Sequence, residues 1–162
     1  MPWQTIDIYA ATNPAFCSLV LRAFCDGFVS RAHHGVDYPL IFLPIPILLS
    51  GNISTSIRYT NKNTGFINWI AKNPHVLINF HSRLKNTMEF SRRSVLFGIQ
   101  YNLIWISEGI QILPSDVSLP RQLSWPVSDE RGMILVYAKR LGLWLGTLDS
   151  VQTVLATMGV RP

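Results

Sequence analysis

Apolar residues recur at helical spacing near the start of the chain, in the stretch NPAFCSLVLRAFCDGF, residues 13–28. Asn13 is a residue type that caps helices, and Pro14 suits the first helical position. The apolar residues that follow surround such a helix almost completely instead of forming one stripe. We therefore predict a helix from residue 14 to about residue 30 that is buried on more than one side.

Prolines and polar residues dominate the next two segments. PLIFLPIPILLSG contains Pro39, Pro44 and Pro46, which disfavour a continuous helix because proline lacks the backbone N–H group. We predict a short helical turn over 39–43, followed by an extended stretch. The polar tract NISTSIRYTNKNTG, residues 52–65, predicts a loop that leads into the next helix.

Residues 63–113 combine helical periodicity with one alternating segment. We predict three short helices: one over FINWIAKN that ends before Pro74, one over about 75–86, and one from 87–90 to about 101. In NLIWISEGIQILP, residues 103–106 are β-prone, Glu108-Gly109 predicts a turn, and residues 110–112 alternate, as in a β-hairpin. Helices followed by a hairpin are the order of a winged helix, so we predict a winged-helix-like segment over 63–113.

The last segment predicts a pair of helices over 128–158. Ser128 is a candidate cap for the first of them. Ala138, Gly142 and Gly146 recur at every fourth residue of that helix, and such a stripe of small residues lets another backbone approach closely. The fold class we predict is mainly α with a small β-hairpin (α+β), a winged-helix-like core with flanking N- and C-terminal helices. We expect residues 1–162 to form a single compact domain.

The composition is poor in charge. Hydrophobic residues make up 48% of the chain and charged residues 14%, against roughly 25% charged residues in an ordinary soluble domain. Such a surface predicts coverage by another protein. A membrane is the rival explanation, but a spanning helix needs ~20 apolar residues. Arg22 and Asp26 interrupt the first apolar stretch and prolines interrupt the second, so we predict no membrane span and no secretion signal.

The net charge of +5 is concentrated in one block between Arg58 and Arg93, where Glu89 is the only acidic residue. Such a block can bind DNA phosphates or an acidic protein surface, or it can be a solvated helix face, and the sequence leaves these alternatives open. Glu89 is also placed to form an ion pair with the arginines that follow it. The candidate partner or DNA contacts in the block are Arg83, Lys85, Arg92 and Arg93.

The sequence contains none of the motifs that usually indicate catalysis or metal binding. The chain has no Gly-rich phosphate loop, nucleophile elbow or metal-ligand cluster, and its nine acidic residues are widely spread. We therefore predict no catalytic, metal-binding or cofactor-binding residues. Cys17 and Cys25 would lie ~12 Å apart along a helix, whereas a disulfide needs Cα atoms within ~7 Å. We expect two buried free thiols.

Five stretches, in this order and spacing, resemble the middle component of three-component ABC ATPase systems, a group that includes the Lamassu-like anti-phage defence systems. The resemblance covers Asn13 to Pro162 and is carried by NPAFCSLVLRAF, YPLIFLPIPILL, INWIAKNPHVLINFHSRLKN, SRRSVLFGI and LDSVQTVLATMGVRP. It implies a non-enzymatic accessory subunit that bridges an SMC/Rad50-like ABC ATPase to an effector subunit, often a nuclease, and helps couple the sensing of foreign double-stranded DNA to effector release. It also implies a docking or structural role for Arg161 and a bacterial, cytoplasmic location.

Two alternatives stay open at this point. A freestanding winged-helix DNA-binding regulator would explain the basic block and the predicted hairpin. A small membrane-associated protein would explain the apolar composition, although it accounts less well for the interrupted apolar stretches.

Overall fold

The structure, a computed structural model, describes residues 13–160 apart from the side chains of Asn52 and Ser54. This part of the chain is mainly helical with one small antiparallel sheet, which confirms the predicted α+β class. The α-helices are Pro14–Ala32 (α1), Pro44–Leu48 (α2), Gly51–Ile57 (α3), Phe66–Lys72 (α4), Phe80–Gln100 (α5), Glu130–Leu145 (α6) and Val151–Thr157 (α7). Short 3-10 helices are Tyr38–Phe42 (η1), Pro74–Leu77 (η2) and Arg121–Leu123 (η3).

The sheet contains the predicted hairpin and one further strand. The hairpin strands are Ile104–Ile106 (β2) and Gln111–Pro114 (β3), with Trp105 opposite Leu113. The additional strand, Val36–Asp37 (β1), pairs antiparallel with the other edge of β3. A strand of two residues is too short to show an alternating pattern, so the sequence did not predict it.

Helix α1 is the central element. It begins as predicted, because the Asn13 side-chain oxygen accepts hydrogen bonds from the backbone N–H groups of Ala15 (3.0 Å) and Phe16 (3.2 Å). Pro14 occupies the first helical position. The helix packs most extensively against α6, then against α5 and β3. Burial on more than one side is therefore confirmed, and it explains why apolar residues surround α1 almost completely.

Small residues allow the backbones of α1 and α6 to touch. A Cβ atom on Gly142 would overlap the carbonyl oxygen of Phe24, and one on Gly27 would overlap the carbonyl oxygen of Lys139. A Cβ on Gly146 would lie 2.7 Å from the carbonyl oxygen of Phe28, which is also too close. The small-residue stripe predicted on α6 is therefore the surface on which α1 packs.

Helix α5 is longer than predicted. The expected helix boundary near residue 87 is wrong, because Thr87 lies in the middle of the continuous helix. The Thr87 hydroxyl donates to the carbonyl of Arg83 (2.9 Å), one turn earlier in the same helix. The segment before it is the 3-10 helix η2, not an α-helix. Residues 63–113 therefore have one short helix, a 3-10 turn and one long helix before the hairpin, instead of the three helices expected for the winged-helix order.

Two expectations for residues 39–65 are also wrong. Residues 44–48 form α2 instead of an extended stretch, because Pro44 and Pro46 fall in the first turn, where backbone N–H groups have no partner within the helix. Part of the polar tract forms α3 instead of a loop. Ile53 and Ile57 lie four residues apart on α3, and both are buried.

The predicted C-terminal pair of helices is present as α6 and α7, within 128–158. The predicted cap is wrong by one residue: Asp129, not Ser128, accepts a hydrogen bond from the backbone N–H of Arg131 (2.9 Å). Ser150 caps α7 by accepting from the backbone N–H of Thr153 (3.1 Å). In both helices, therefore, the side chain of the capping residue accepts a hydrogen bond from a first-turn backbone N–H group that has no partner within the helix.

We predict that Gly142→Ala destabilises the fold by about 1–3 kcal/mol, the usual range for overpacking. Helix propensity alone would give the opposite sign, since alanine is favoured over glycine by about 1 kcal/mol. Urea unfolding followed by circular dichroism measures the change. Gly109→Ala is the matched control, because a Cβ there meets only the Ser107 hydroxyl, at 3.9 Å. Equal stability of Gly142→Ala and wild type would disprove the close contact.

Ile110 supplies a second prediction, of the opposite sign. It lies at the hairpin turn with a φ of 57°, a left-handed conformation that costs a β-branched residue about 1–2 kcal/mol. Its side chain is 63% exposed, so little packing compensates for this cost. Ile110→Asn should raise the melting temperature by about 2–4 °C, as expected for about 1 kcal/mol. Ile106→Asn, at a regular strand position, is the control and should give no increase.

Candidate functional site

The candidate basic contacts do not share one face. Lys85 and Arg92 are seven residues apart on α5 and therefore lie on the same side, two turns apart. Arg83 is nine residues from Arg92, which at about 3.6 residues per turn places it on the opposite side. Arg93 is exposed beside Arg92. Arg161 lies outside the described residues. The structure therefore brings together only Lys85 and Arg92, with Arg93 at their edge.

Arg83 holds neighbouring elements together. Its guanidinium donates to the Ser50 hydroxyl (2.9 Å), just before α3, and to the carbonyl of Ile78 (2.6 Å), just after η2. The side chain is half-buried. These contacts link α5 to two earlier segments of the chain, so the structure gives Arg83 a role in the fold.

Arg92 and Arg93 share one acidic partner. The Glu89 carboxylate lies 3.5 Å from the Arg92 guanidinium and 3.7 Å from that of Arg93, so the predicted surface ion pair is confirmed. All three side chains are at least half exposed, and ion pairs in water contribute little to stability. One carboxylate cannot neutralise two guanidinium groups, and this surface of α5 therefore keeps a net positive charge.

A groove of about 540 Å³ lies between α5, η1 and the end of α7. Its floor is mainly apolar and includes Phe42, Leu43, Leu84, Met88, Leu155 and Val160, with Tyr38 and Pro39 of η1 beside them. Its rim carries the side chains of Lys85, Arg92 and His81, and no carboxylate lines it among the described residues. We call this feature the basic-rimmed groove. It combines apolar surface with cations on one side, which suits binding to a protein segment.

The end of α7 determines where the chain meets this groove. Gly159 has a φ of 70°, and the backbone N–H of Val160 donates to the carbonyl of Leu155 (2.8 Å). The N–H of Gly159 donates to the carbonyl of Ala156 (3.1 Å), which completes a Schellman motif. This motif places Val160 in the groove beside Leu155. Arg161 follows directly in the sequence.

Sequence reasoning missed a second cavity, of about 350 Å³, where the connector between β3 and α6 crosses the start of α1 and the end of α5. Its lining is mostly apolar and includes Phe16 and Trp125, whose rings pack edge-to-face at 5.9 Å. The Arg131 guanidinium lies over the Trp125 ring at 4.8 Å. Val117, Leu119, Leu123 and Trp125, the apolar residues of the Pro-rich connector that line this cavity, are the sequence signal that could have indicated packing here.

The hairpin exposes apolar side chains. Trp105, Ile106 and Ile110 are 48%, 42% and 63% exposed. Single exposed apolar residues are normal on a protein surface. Here three lie on one hairpin, with Trp105 and Ile106 on opposite faces of β2 because successive side chains of a strand alternate. Among the described residues, no helix combines the length and apolar composition needed to cross a membrane.

The two cysteines are buried thiols that form no disulfide, as predicted. Burial raises the pKa of the Cys17 thiol to about 12, because the charged thiolate is poorly solvated in the core. Burial also raises the pKa of Cys25, further assisted by the nearby negative charge of Asp26. The described part of the chain holds no group of three His, Cys, Asp or Glu residues arranged to bind one metal ion.

We predict that Cys17 and Cys25 do not react with a thiol reagent at pH 8 in the native protein but do so in urea. Because unfolded thiols ionise near pH ~8.5 while the folded thiols stay protonated, the free energy of unfolding should fall as pH rises above that value. The fall should continue to about pH 12, the pKa of folded Cys17. The Cys17→Ala, Cys25→Ala variant should show a smaller decrease. Rapid native labelling would contradict the burial.

Comparison with known proteins assigns the chain to a family. No curated protein and no solved structure matches it significantly. The sequence pattern of one protein family does match, over residues 5–162, which is almost the whole chain. That family is described as the ABC-three component (ABC-3C) system Middle Component 3. The fold and the basic-rimmed groove described above are therefore those of a chain that belongs to the Middle Component 3 family of ABC-three component systems.

Proposed function

We propose that this chain is a non-enzymatic accessory subunit that bridges the ABC ATPase of its system to the effector subunit. The observation that carries the proposal is the basic-rimmed groove, an apolar floor beside Lys85 and Arg92. Apolar grooves with charged edges are a usual way for one protein to hold a segment of another. A middle component of a three-component system has two other components to bind.

The exposed hairpin supports the same proposal. Trp105, Ile106 and Ile110 lie on β2 and the turn that follows it, whereas the groove is formed by η1, α5 and α7. A subunit that bridges two partners needs two separate contact surfaces. We propose that one partner covers the groove and the other covers the hairpin.

Finer features of the system are part of the proposal. The ATPase would be SMC/Rad50-like, the effector nuclease-like, and the system a Lamassu-like anti-phage defence system in the bacterial cytoplasm, where double-stranded DNA reaches the complex. We further propose that residues 1–162 form one domain, which is supported by the contiguous cluster of buried apolar side chains that includes residues from α1 to α7.

Contact with protein is favoured over direct contact with DNA because of the groove floor. Phosphate-binding surfaces are polar and strongly basic, whereas the floor of this groove is apolar. The second candidate function, a freestanding winged-helix DNA-binding regulator, is supported by the positive charge of α5 and by the hairpin that follows it, but residues 63–113 do not have the three helices expected for the winged-helix order.

Co-expression of the three components tests the bridging role. The tagged ATPase should retain the effector when this chain is present and lose it when this chain is omitted, whereas ATPase folding should be unchanged. Retention of the effector without this chain would disprove bridging. A chain that forms a dimer by itself and binds duplex DNA, with affinity that falls steeply as salt rises, would instead establish the regulator.

A further inference from the structure

We propose that the basic-rimmed groove binds an acidic amphipathic helix of a partner component. This inference rests on the proposed function and adds the chemistry of the partner segment. The occupant is defined by two properties of the groove, its apolar floor and its cationic rim. A helix that presents apolar side chains on one face and carboxylates beside them matches both.

The floor suits the apolar face of a helix. Leu84 and Met88 are four residues apart on α5, so they form one row along the groove, and Phe42 and Leu155 close it from η1 and α7. A row of this kind accepts apolar side chains spaced at three or four residues on the incoming helix. Met88 adds adaptability, because its flexible side chain can adjust to the shape of the bound residue.

The rim supplies charge complementarity. Lys85 and Arg92 lie two turns apart on the same side of α5, a separation of about 10 Å along the axis at 1.5 Å per residue. Two carboxylates placed two turns apart on a partner helix have the same separation. Both cations are exposed, and no described residue that lines the groove is acidic. Glu89 pairs with Arg92 only through an exposed contact, which an incoming carboxylate can exchange at low cost.

Other occupants fit less well. The phosphate backbone of DNA would satisfy the two cations but would leave the apolar floor uncovered. Arg161, which follows Val160 in the sequence, carries a charge of the same sign as the rim. An acidic partner helix satisfies the rim and the floor together.

Site-specific photo-crosslinking identifies the occupant directly. Benzoylphenylalanine replaces Met88 in the chain co-expressed with its ATPase and effector components, and mass spectrometry maps the linked peptide. We expect a partner segment with several Asp or Glu residues and apolar residues at helical spacing. A link to a basic or uncharged segment, or to DNA, would overturn the inference. The same label at Ile67, 47% exposed on α4, is the control position.

Charge reversal tests the rim. Lys85→Glu with Arg92→Glu should weaken binding of the cross-linked component at least 10-fold, while the circular dichroism spectrum stays that of wild type because both side chains are exposed. Lys85→Arg with Arg92→Lys should retain binding. Lys62→Glu with Lys72→Glu makes the same change of net charge at exposed positions outside the groove and should leave binding within about 2-fold.

The outcomes separate this inference from the proposed function. If the effector is bridged but the charge-reversed rim binds with unchanged affinity, the acidic helix is rejected and bridging stands. If no complex forms with the wild-type chain, bridging is rejected and the inference with it. Replacing the acidic residues of the cross-linked segment with lysine should restore binding to the charge-reversed chain, and failure of this rescue would also count against direct pairing.

Discussion

The contact between the backbones of α1 and α6 is the constraint on which the rest of the structure depends. Gly27 on one helix and Gly142 on the other leave no side chain between them, so the two helices pack closer than side chains usually allow. The contact is reinforced at its edge by the exposed ion pair of Asp26 and Lys139, at 3.1 Å. Since α7 follows α6 after a short turn, the position of α1 also determines where α7 lies.

A second close contact, between α1 and α5, determines which way the long side chains of α5 point. Ser18 and Ser94 are fully buried, and their hydroxyls donate to carbonyls of their own helices, those of Ala15 (2.6 Å) and Phe90 (3.0 Å). Three of the buried residues of α5, Ser91, Ser94 and Gly98, are therefore small, and a Cβ added to Gly98 would already crowd Ile104. The longer residues of α5 are displaced to its outer sides, where they form the wall of the basic-rimmed groove.

The elements that could be predicted are those whose signals are local. Asn13 and Pro14 predict the start of α1, and the small-residue stripe predicts a close approach to α6, although it does not identify α1 as the partner. The polar composition of the tract before α4 predicts a loop, whereas two of its residues accept hydrogen bonds from buried side chains that are distant in the sequence. Trp69 and Trp144 are buried, and their indole N–H groups donate to the Ser56 hydroxyl (3.0 Å) and the Asn61 carbonyl (3.1 Å). These hydrogen-bond partners are brought together by tertiary packing, which cannot be predicted from the periodicity of the sequence.

The candidate site shows the same division between local and distant information. The positive charge of α5 is visible in the sequence, but much of the apolar floor beside it comes from η1 and α7, which lie far apart in the sequence. A ligand that contacts η1, α5 and α7 together can bind only the folded chain, because these elements meet only after folding. Its binding therefore stabilises the folded state by mass action. Docking of a partner in the groove would therefore also hold α7 and η1 against α5. In this way the stability of this middle component would change with the binding of a partner in the groove.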